Sequence, residues 1–321
     1  MDALIETKNI SKTFSDFLAV DRVSIQVAAG EIYGLVGPDG AGKTTTIRLL
    51  CGAYRPDLTV NSETIAVQIG GSDVLENTEE ARAQIGYLPQ RFSMYEEMTV
   101  LENLRFFAEV RGLKSSEWYP RCLDILKFVG LDPYIDRRAG FLSGGMKQKL
   151  GLAAALVHNP KVLLLDEPTT GVDPVTRQDF WQLVIRLVTR NSEADQETAV
   201  LISTPYMDEA SRCTRVGFML RGKLVEEGTP SHLRNRLEGR IIELAGSPIS
   251  KLRCLAMEDD EVEDVQMFGD RLHILVESGK ADSVISRLSK RLPAEGGQIK
   301  ILREIPPLLE DVLIGFVKDL E

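Results

Sequence analysis

The chain's 321 residues, 43% hydrophobic and 27% charged, suit one large globular domain and a smaller one. Its formal net charge of −10 argues against a nucleic-acid-binding protein, and no nucleic-acid partner is expected. The longest apolar runs, Leu152–Val157 and Val162–Leu165, fall far short of the roughly 20 residues that span a bilayer.

The N-terminus carries Asp2, Glu6 and Lys8 without the apolar stretch of a signal peptide. Cys51, Cys122, Cys213 and Cys254 lie far apart with no CxxC, as reduced thiols of a cytoplasmic protein do. Residues 1–235 alternate apolar strands with amphipathic helices, which predicts an α/β domain with a largely parallel sheet. Glu31–Val36 reads as a strand and Thr45–Cys51 as a helix. Thr99–Leu113 reads as a helix with Leu101, Leu104, Phe107 and Ala108 on one stripe, and Thr99 with Glu102 forms its capping signal. Met146, Leu150, Ala154 and Val157 mark another helix, and Val162–Leu165 is a strand buried on both faces.

After Gly228-Thr229-Pro230 a small α+β domain, residues 236–321, is expected. Its strands fall at Arg240–Ala245, Arg271–Val276 and Gln298–Arg303, and its helices at Ala281–Leu292 and Pro306–Leu320. Six of the seven residues of Glu258–Asp264 are acidic, which predicts a solvated loop rather than a metal site.

The chemistry begins at Gly37-Pro38-Asp39-Gly40-Ala41-Gly42-Lys43-Thr44, a full G-x-x-x-x-G-K-[ST] phosphate-binding loop between strand and helix. Glycines let successive N–H groups converge on phosphates, and the helix entered through Thr45 points its N-terminus at the anion. Lys43 places a charge at the β- and γ-phosphates, and the Thr44 hydroxyl can ligate Mg²⁺. Asp166 and Glu167 follow the buried strand Val162–Leu165. There Asp166 would hold Mg²⁺ and Glu167 would act as the base toward water. Two acids after a strand need no function by themselves; paired with the loop they indicate an MgATP site.

Leu142-Ser143-Gly144-Gly145-Met146-Lys147-Gln148 opens the Met146–Val157 helix. Alone it is an ordinary serine cap with flexible glycines; between the phosphate loop and the acid pair it is more telling. From these ordered motifs residues 4–235 resemble the ATP-binding cassette (ABC) ATPases, the P-loop NTPase class with a β-sheet core and a helical subdomain, here about residues 92–158. Gln90 in Tyr87-Leu88-Pro89-Gln90 matches the family's Q-loop, and Gly171-Val172-Asp173-Pro174 its D-loop. Phe14 stands where the family stacks an aromatic on adenine.

The resemblance implies a head-to-tail dimer, with ATP held between the phosphate loop of one cassette and Ser143, Gly144 and Gly145 of a second. The second cassette can be another copy or a different chain. The resemblance also implies that Gln90 serves both catalysis and the magnesium shell, and that Asp173 borders the nucleotide. The segment after Gln90, with Tyr95-Glu96, Met98-Thr99-Val100 and Glu102-Asn103-Leu104, resembles the exporter-type subfamily. So does Pro306–Val312, and the whole looks most like bacterial multidrug-efflux ATPases, including one cassette of the tandem forms. That likeness implies a separate transmembrane permease and a place on the cytoplasmic face of the cell membrane. A soluble ABC protein acting on ribosomes or DNA usually has two fused cassettes with a charged linker, or long coiled coils, and neither occurs here.

The chain departs from the family at two places. Leu201–Ala210 carries Pro205 where the family has its switch histidine. Proline has neither an imidazole nor an N–H for a phosphate, and His158, His232 and His273 are distant in sequence. Either the site on Lys43 is slow and a partner cassette supplies a competent one, or Glu167 and bound water suffice at a reduced rate. A regulatory cassette that hardly turns over is the limit of the first reading. In addition, Pro56–Gly71 lacks the usual Ser-Gly turn, which predicts a reshaped hairpin.

Overall fold

A computed structural model describes residues 3–57, 64–91, 94–192 and 197–319. Part of the Pro56–Gly71 hairpin, Phe92 in the exporter-like stretch, and Leu320 at the end of the last expected helix lie outside them. The chain divides into two compact units, Met1–Glu227 and Gly228–Glu321, whereas the sequence places the division near residue 235.

The first unit runs β1 (Ala3–Phe14), β2 (Phe17–Ala28), β3 (Ile32–Val36), α1 (Lys43–Leu50), β4 (Ala66–Ile69), β5 (Ser72–Asp73), α2 (Thr78–Ala83) and β6 (Ile85–Leu88). It continues with α3 (Val100–Val110), α4 (Ser115–Val129), α5 (Gly144–Leu156), β7 (Val162–Asp166) and α6 (Pro174–Ser192). The last elements are β8 (Ala199–Thr204), α7 (Met207–Ala210), β9 (Arg215–Leu220) and β10 (Lys223–Gly228).

Among the described residues a six-stranded sheet has the order β10-β9-β3-β8-β7-β6, with β9, β3, β8, β7 and β6 paired in parallel. Every residue of β3, β7 and β8 is buried, which is why these segments read as apolar runs, with polar residues only at Asp166 ending β7 and Ser203-Thr204 ending β8. Because β8 lies between β3 and β7, the C-terminal ends of all three strands open on one edge. Beside it an antiparallel sheet, β2-β1-β4-β5, shares the core through Ile5, Ile25, Val67 and Ile69.

Helix α3 starts as its capping signal predicts. The Thr99 hydroxyl accepts from the Glu102 N–H at 3.2 Å while Glu102 accepts from the Thr99 N–H at 2.8 Å. The phosphate-loop helix begins two residues earlier than expected, at Lys43, because Gly42 turns left-handed (φ 107°) and serves as its cap. Among the described residues no helix is long and apolar enough to cross a membrane.

The second unit contains α8 (Pro230–Asn235), β11 (Ile241–Ser247), α9 (Ile249–Met257), β12 (Val262–Phe268), β13 (Arg271–Val276), α10 (Ala281–Ala294), β14 (Gln298–Glu304) and α11 (Leu309–Asp319). Strands β12-β13-β11-β14 form one antiparallel sheet, and with α9 and α10 between strands the topology is a split βαββαβ. Its core joins Ile242, Leu244, Leu272 and Ile274 to Leu252, Val284 and Leu288.

The acidic run is the loop that the sequence predicts only over residues 258–261. Its second half enters β12, and its first half is held by α10, where Ser283, Arg287 and Arg291 recur at four-residue spacing on one face. Asp259 accepts from Arg287 at 2.7 and 2.8 Å, and Glu261 from Lys280 and Ser283, each at 2.8 Å.

Candidate functional site

Strand β3 ends at Val36 and the chain turns through Gly37–Gly42 into α1. At Gly42 a Cβ would lie 2.3 Å from the Ala19 carbonyl oxygen, so only glycine lets the loop pass this close to β2. The Lys43 ammonium donates to the carbonyls of Gly37 at 2.8 Å and Pro38 at 3.0 Å. It also lies 3.2 Å from Glu167 Oε1, with the two side chains only 3% and 7% exposed.

Strand β7 delivers Asp166 and Glu167 to the same edge. Asp166 Oδ1 accepts from Thr44 at 3.0 Å and from Ser203 at 2.8 Å, while its Oδ2 is buried without a hydrogen-bond partner. Burial pushes the Asp166 carboxyl above the usual aspartate range; the Ser203 and Thr44 hydrogen bonds oppose the rise and neighbouring Glu167 adds to it. Glu167 accepts from Gln90 Nε2 at 2.9 Å and donates its own N–H to Ser203 Oγ at 2.9 Å. Its backbone is left-handed (φ 45°), a conformation that costs a non-glycine residue about 1–3 kcal/mol and persists only where its surroundings enforce it.

One cleft of about 310 Å³ is lined by Phe17, Ala19, Asp39, Gly40, Ala41, Gly42, Lys43, Thr44, Thr45, Gln90 and Glu167. Lys43, Thr44, Gln90 and Glu167 therefore meet at a space large enough for phosphates, and Asp166, itself outside the lining, is tied to it through Thr44.

Several expected residues are elsewhere. Phe14 does not line the cleft; its ring meets Tyr54 edge-on at 5.2 Å, and Lys12 sits 5.8 Å from its centroid. Phe17, across the β1–β2 turn and 62% exposed, lines the cleft instead. Ser143 caps α5 by accepting from the Met146 N–H at 3.3 Å. Gly145 has a packing reason within the chain, since a Cβ there would lie 2.2 Å from Thr176 Cγ2. Asp173 accepts from the N–H groups of Val175 and Thr176, at 3.1 and 3.0 Å, and caps α6. Ser143, Gly144, Gly145 and Asp173 thus lie outside the cleft lining.

Pro205 follows Thr204 directly, and none of the three histidines is part of the cleft lining. His158 bonds the Ile85 carbonyl at 3.0 Å and His273 pairs with Asp311 at 2.9 Å in the second unit. The supports that sequence reasoning missed are hydroxyls. Ser203 and Thr204 are polar residues closing an otherwise apolar strand, Ala199–Ile202, and that break in pattern was the available signal.

Residues 20–170 match the family described as ABC transporter. A Nod factor export ATP-binding protein I of Paraburkholderia xenovorans (strain LB400) is 34% identical over 319 residues, covering 98% of this chain and 96% of its own. The chain belongs to the ABC transporter ATP-binding family. The probable multidrug ABC transporter ATP-binding protein YbhF of Escherichia coli (strain K12) is 38% identical over 321 residues. That match covers 98% of the cassette but 52% of the relative, so the chain spans about half the length of this relative. Among solved structures, the ADP conformation of MJ1267, an ATP-binding cassette of an ABC transporter, is 29% identical with a TM-score of 0.63, covering 72% of this chain and 93% of its own. The dimeric structure of MJ0796, a bacterial ABC transporter cassette, is 26% identical with a TM-score of 0.61, covering 70% of this chain and 98% of its own. The cassette therefore has the P-loop ABC ATPase fold in its first unit, with the βαββαβ unit appended.

Proposed function

We propose that the cassette binds MgATP in the Gly37–Thr45 cleft and hydrolyses it to power a membrane exporter of the drug or multidrug type, whose transmembrane permease is a separate chain. The observation that supports this most is the meeting of Lys43, Thr44, Gln90 and Glu167 around one cleft, with Asp166 hydrogen-bonded to Thr44 beside it. Lys43 and the loop N–H groups bind the β- and γ-phosphates. Glu167, oriented by Gln90, receives the proton of the attacking water as the water oxygen bonds to the terminal phosphorus and ADP leaves. Thr44 and Asp166 would hold the magnesium ion, and the unpartnered, buried Asp166 Oδ2 is the kind of hard oxygen such an ion requires. When bound, the ion neutralises charge on the phosphate oxygens.

Ser143, Gly144, Gly145 and Asp173 lie outside the lining of their own cleft, which supports their service to ATP on a second cassette, identical or not. Pro205 supports slow turnover at this site, because neither Thr204 nor Tyr206 beside it brings an imidazole to the phosphates. The names of the relatives support export, and with it a position on the cytoplasmic face of the cell membrane.

Phosphate release by the full chain, with and without its co-purified membrane partner, tests the proposal. ATP-dependent release and recovery of a multi-span membrane protein are expected; neither appearing would sink it. Pro205→His should raise turnover severalfold; an unchanged rate would show that proline does not limit the site.

A further inference from the structure

Glu209, on α7, is fully buried, yet it reaches toward both loops that support the acid pair. Its Oε1 accepts from the Thr169 hydroxyl at 2.5 Å and its Oε2 from the Thr204 hydroxyl at 2.6 Å. Thr169 stands two residues beyond Glu167, and Thr204 stands next to Ser203, which bonds both the Asp166 side chain and the Glu167 N–H. A third group comes from α6: Arg177 Nε is 3.6 Å from Glu209 Oε1, and its guanidinium lies 4.2 Å from the ring centroid of Tyr206. The Tyr206 N–H in turn donates to the Thr204 hydroxyl at 3.0 Å.

One side chain thus clips together the exit of β7, the exit of β8 and the start of α6. A buried acid could serve only its own hydrogen bonds, but here both hydroxyls belong to segments adjoining Glu167. That residue is left-handed and depends on its surroundings to stay so.

We propose that Glu209 is a positioning residue for hydrolysis, fixing Glu167 over the cleft through Thr169 and through Thr204–Ser203; this rests on the reading of the cleft as an ATP-hydrolysing site. A positioning defect lowers turnover and spares ground-state binding, so the two must be measured separately. In the full chain, Glu209→Met should lower ATP turnover by about tenfold or more, as small misplacements at a catalytic group do, while affinity for a fluorescent ATP analogue stays at the wild-type value. Glu209→Gln, which can still accept from one threonine and donate to the other, should restore most of the rate. Thr169→Val cuts only the leg to the acid loop and should reproduce the loss without removing a buried acid.

Wild-type turnover in Glu209→Met, or an affinity that falls in step with the rate, would overturn the proposal. If the wild-type chain releases no phosphate at all, the functional reading of the cleft fails and the clip is judged by amide hydrogen exchange over residues 167–173. Faster exchange in Glu209→Met than in Glu209→Gln supports the clip, and equal exchange refutes it.

Discussion

Two acid-rich regions of this chain show how differently the same side chains behave. Asp166 and Glu167 are buried at the edge of a parallel sheet and held mainly by hydroxyls, one glutamine and one lysine. Asp259 and Glu261 belong to the second unit and face arginine and lysine side chains of α10 and its start. Burial raises the Asp166 carboxyl, whereas the hydrogen bonds from Lys280, Arg287 and Ser283 bring Glu261 down to about 2. The cassette neutralises its structural acids within the chain. At the phosphate loop Glu167 is paired with Lys43 as well, but Asp166 keeps one buried oxygen without a partner, capacity that a magnesium ion can use.

Neutralising a single acid separates the two regions most sharply. Glu167→Gln keeps an oxygen for Gln90 but cannot take a proton, so turnover should fall by about a hundredfold or more with nucleotide binding retained. Phosphate release and analogue binding measure the two, and a variant that still hydrolyses at the wild-type rate would remove Glu167 from the base role. A smaller loss is expected on the binding side. Lys43→Met removes a charge-assisted bond to the phosphates and should weaken ATP affinity by about ten- to a hundredfold, read by analogue titration. Undiminished affinity would mean that the loop N–H groups carry the phosphates alone.

The contrast also marks what could be read from the sequence. The phosphate loop was legible because its chemistry is made by consecutive backbone groups, which force glycines, Lys43 and Thr44 into one contiguous string. Strand β7 was legible because burial on both faces leaves Val162–Leu165 uniformly apolar. The groups supporting the acids were not. Ser203 reaches Asp166 across 37 positions and Glu209 reaches Thr169 across 40, so although the polar end of β8 marks Ser203, nothing local names the partner in either pair. The cationic partners of the acid run Glu258–Asp264 were hidden for the same reason. Arg287 lies 28 positions beyond Asp259, and only the packing of α10 on the sheet brings them together. Phe14 and Phe17 show the limit at the scale of a single turn, since the lining aromatic of the cleft is the one across the hairpin from the motif position.

The smallest effect tests the second region. Glu261 has a folded pKa of about 2 against an ordinary 4.5, so the unfolded chain binds its proton first as pH falls. Its contribution to stability is therefore complete above pH 4.5 and disappears as pH drops through about 2. Glu261→Gln should make the amides of β12 and α10 exchange faster than wild type at neutral pH, with the difference closing across that window. Because Lys280 and Arg287 are both more than two-fifths exposed, the difference should also shrink with added salt. ATP turnover should not change, since Glu261 belongs to the second unit and takes no part in the cleft lining. A gap in exchange that ignores both pH and salt would mean that Glu261 acts through packing rather than charge. The distinction between acids satisfied within the chain and acids held open for a ligand would then lose its electrostatic basis.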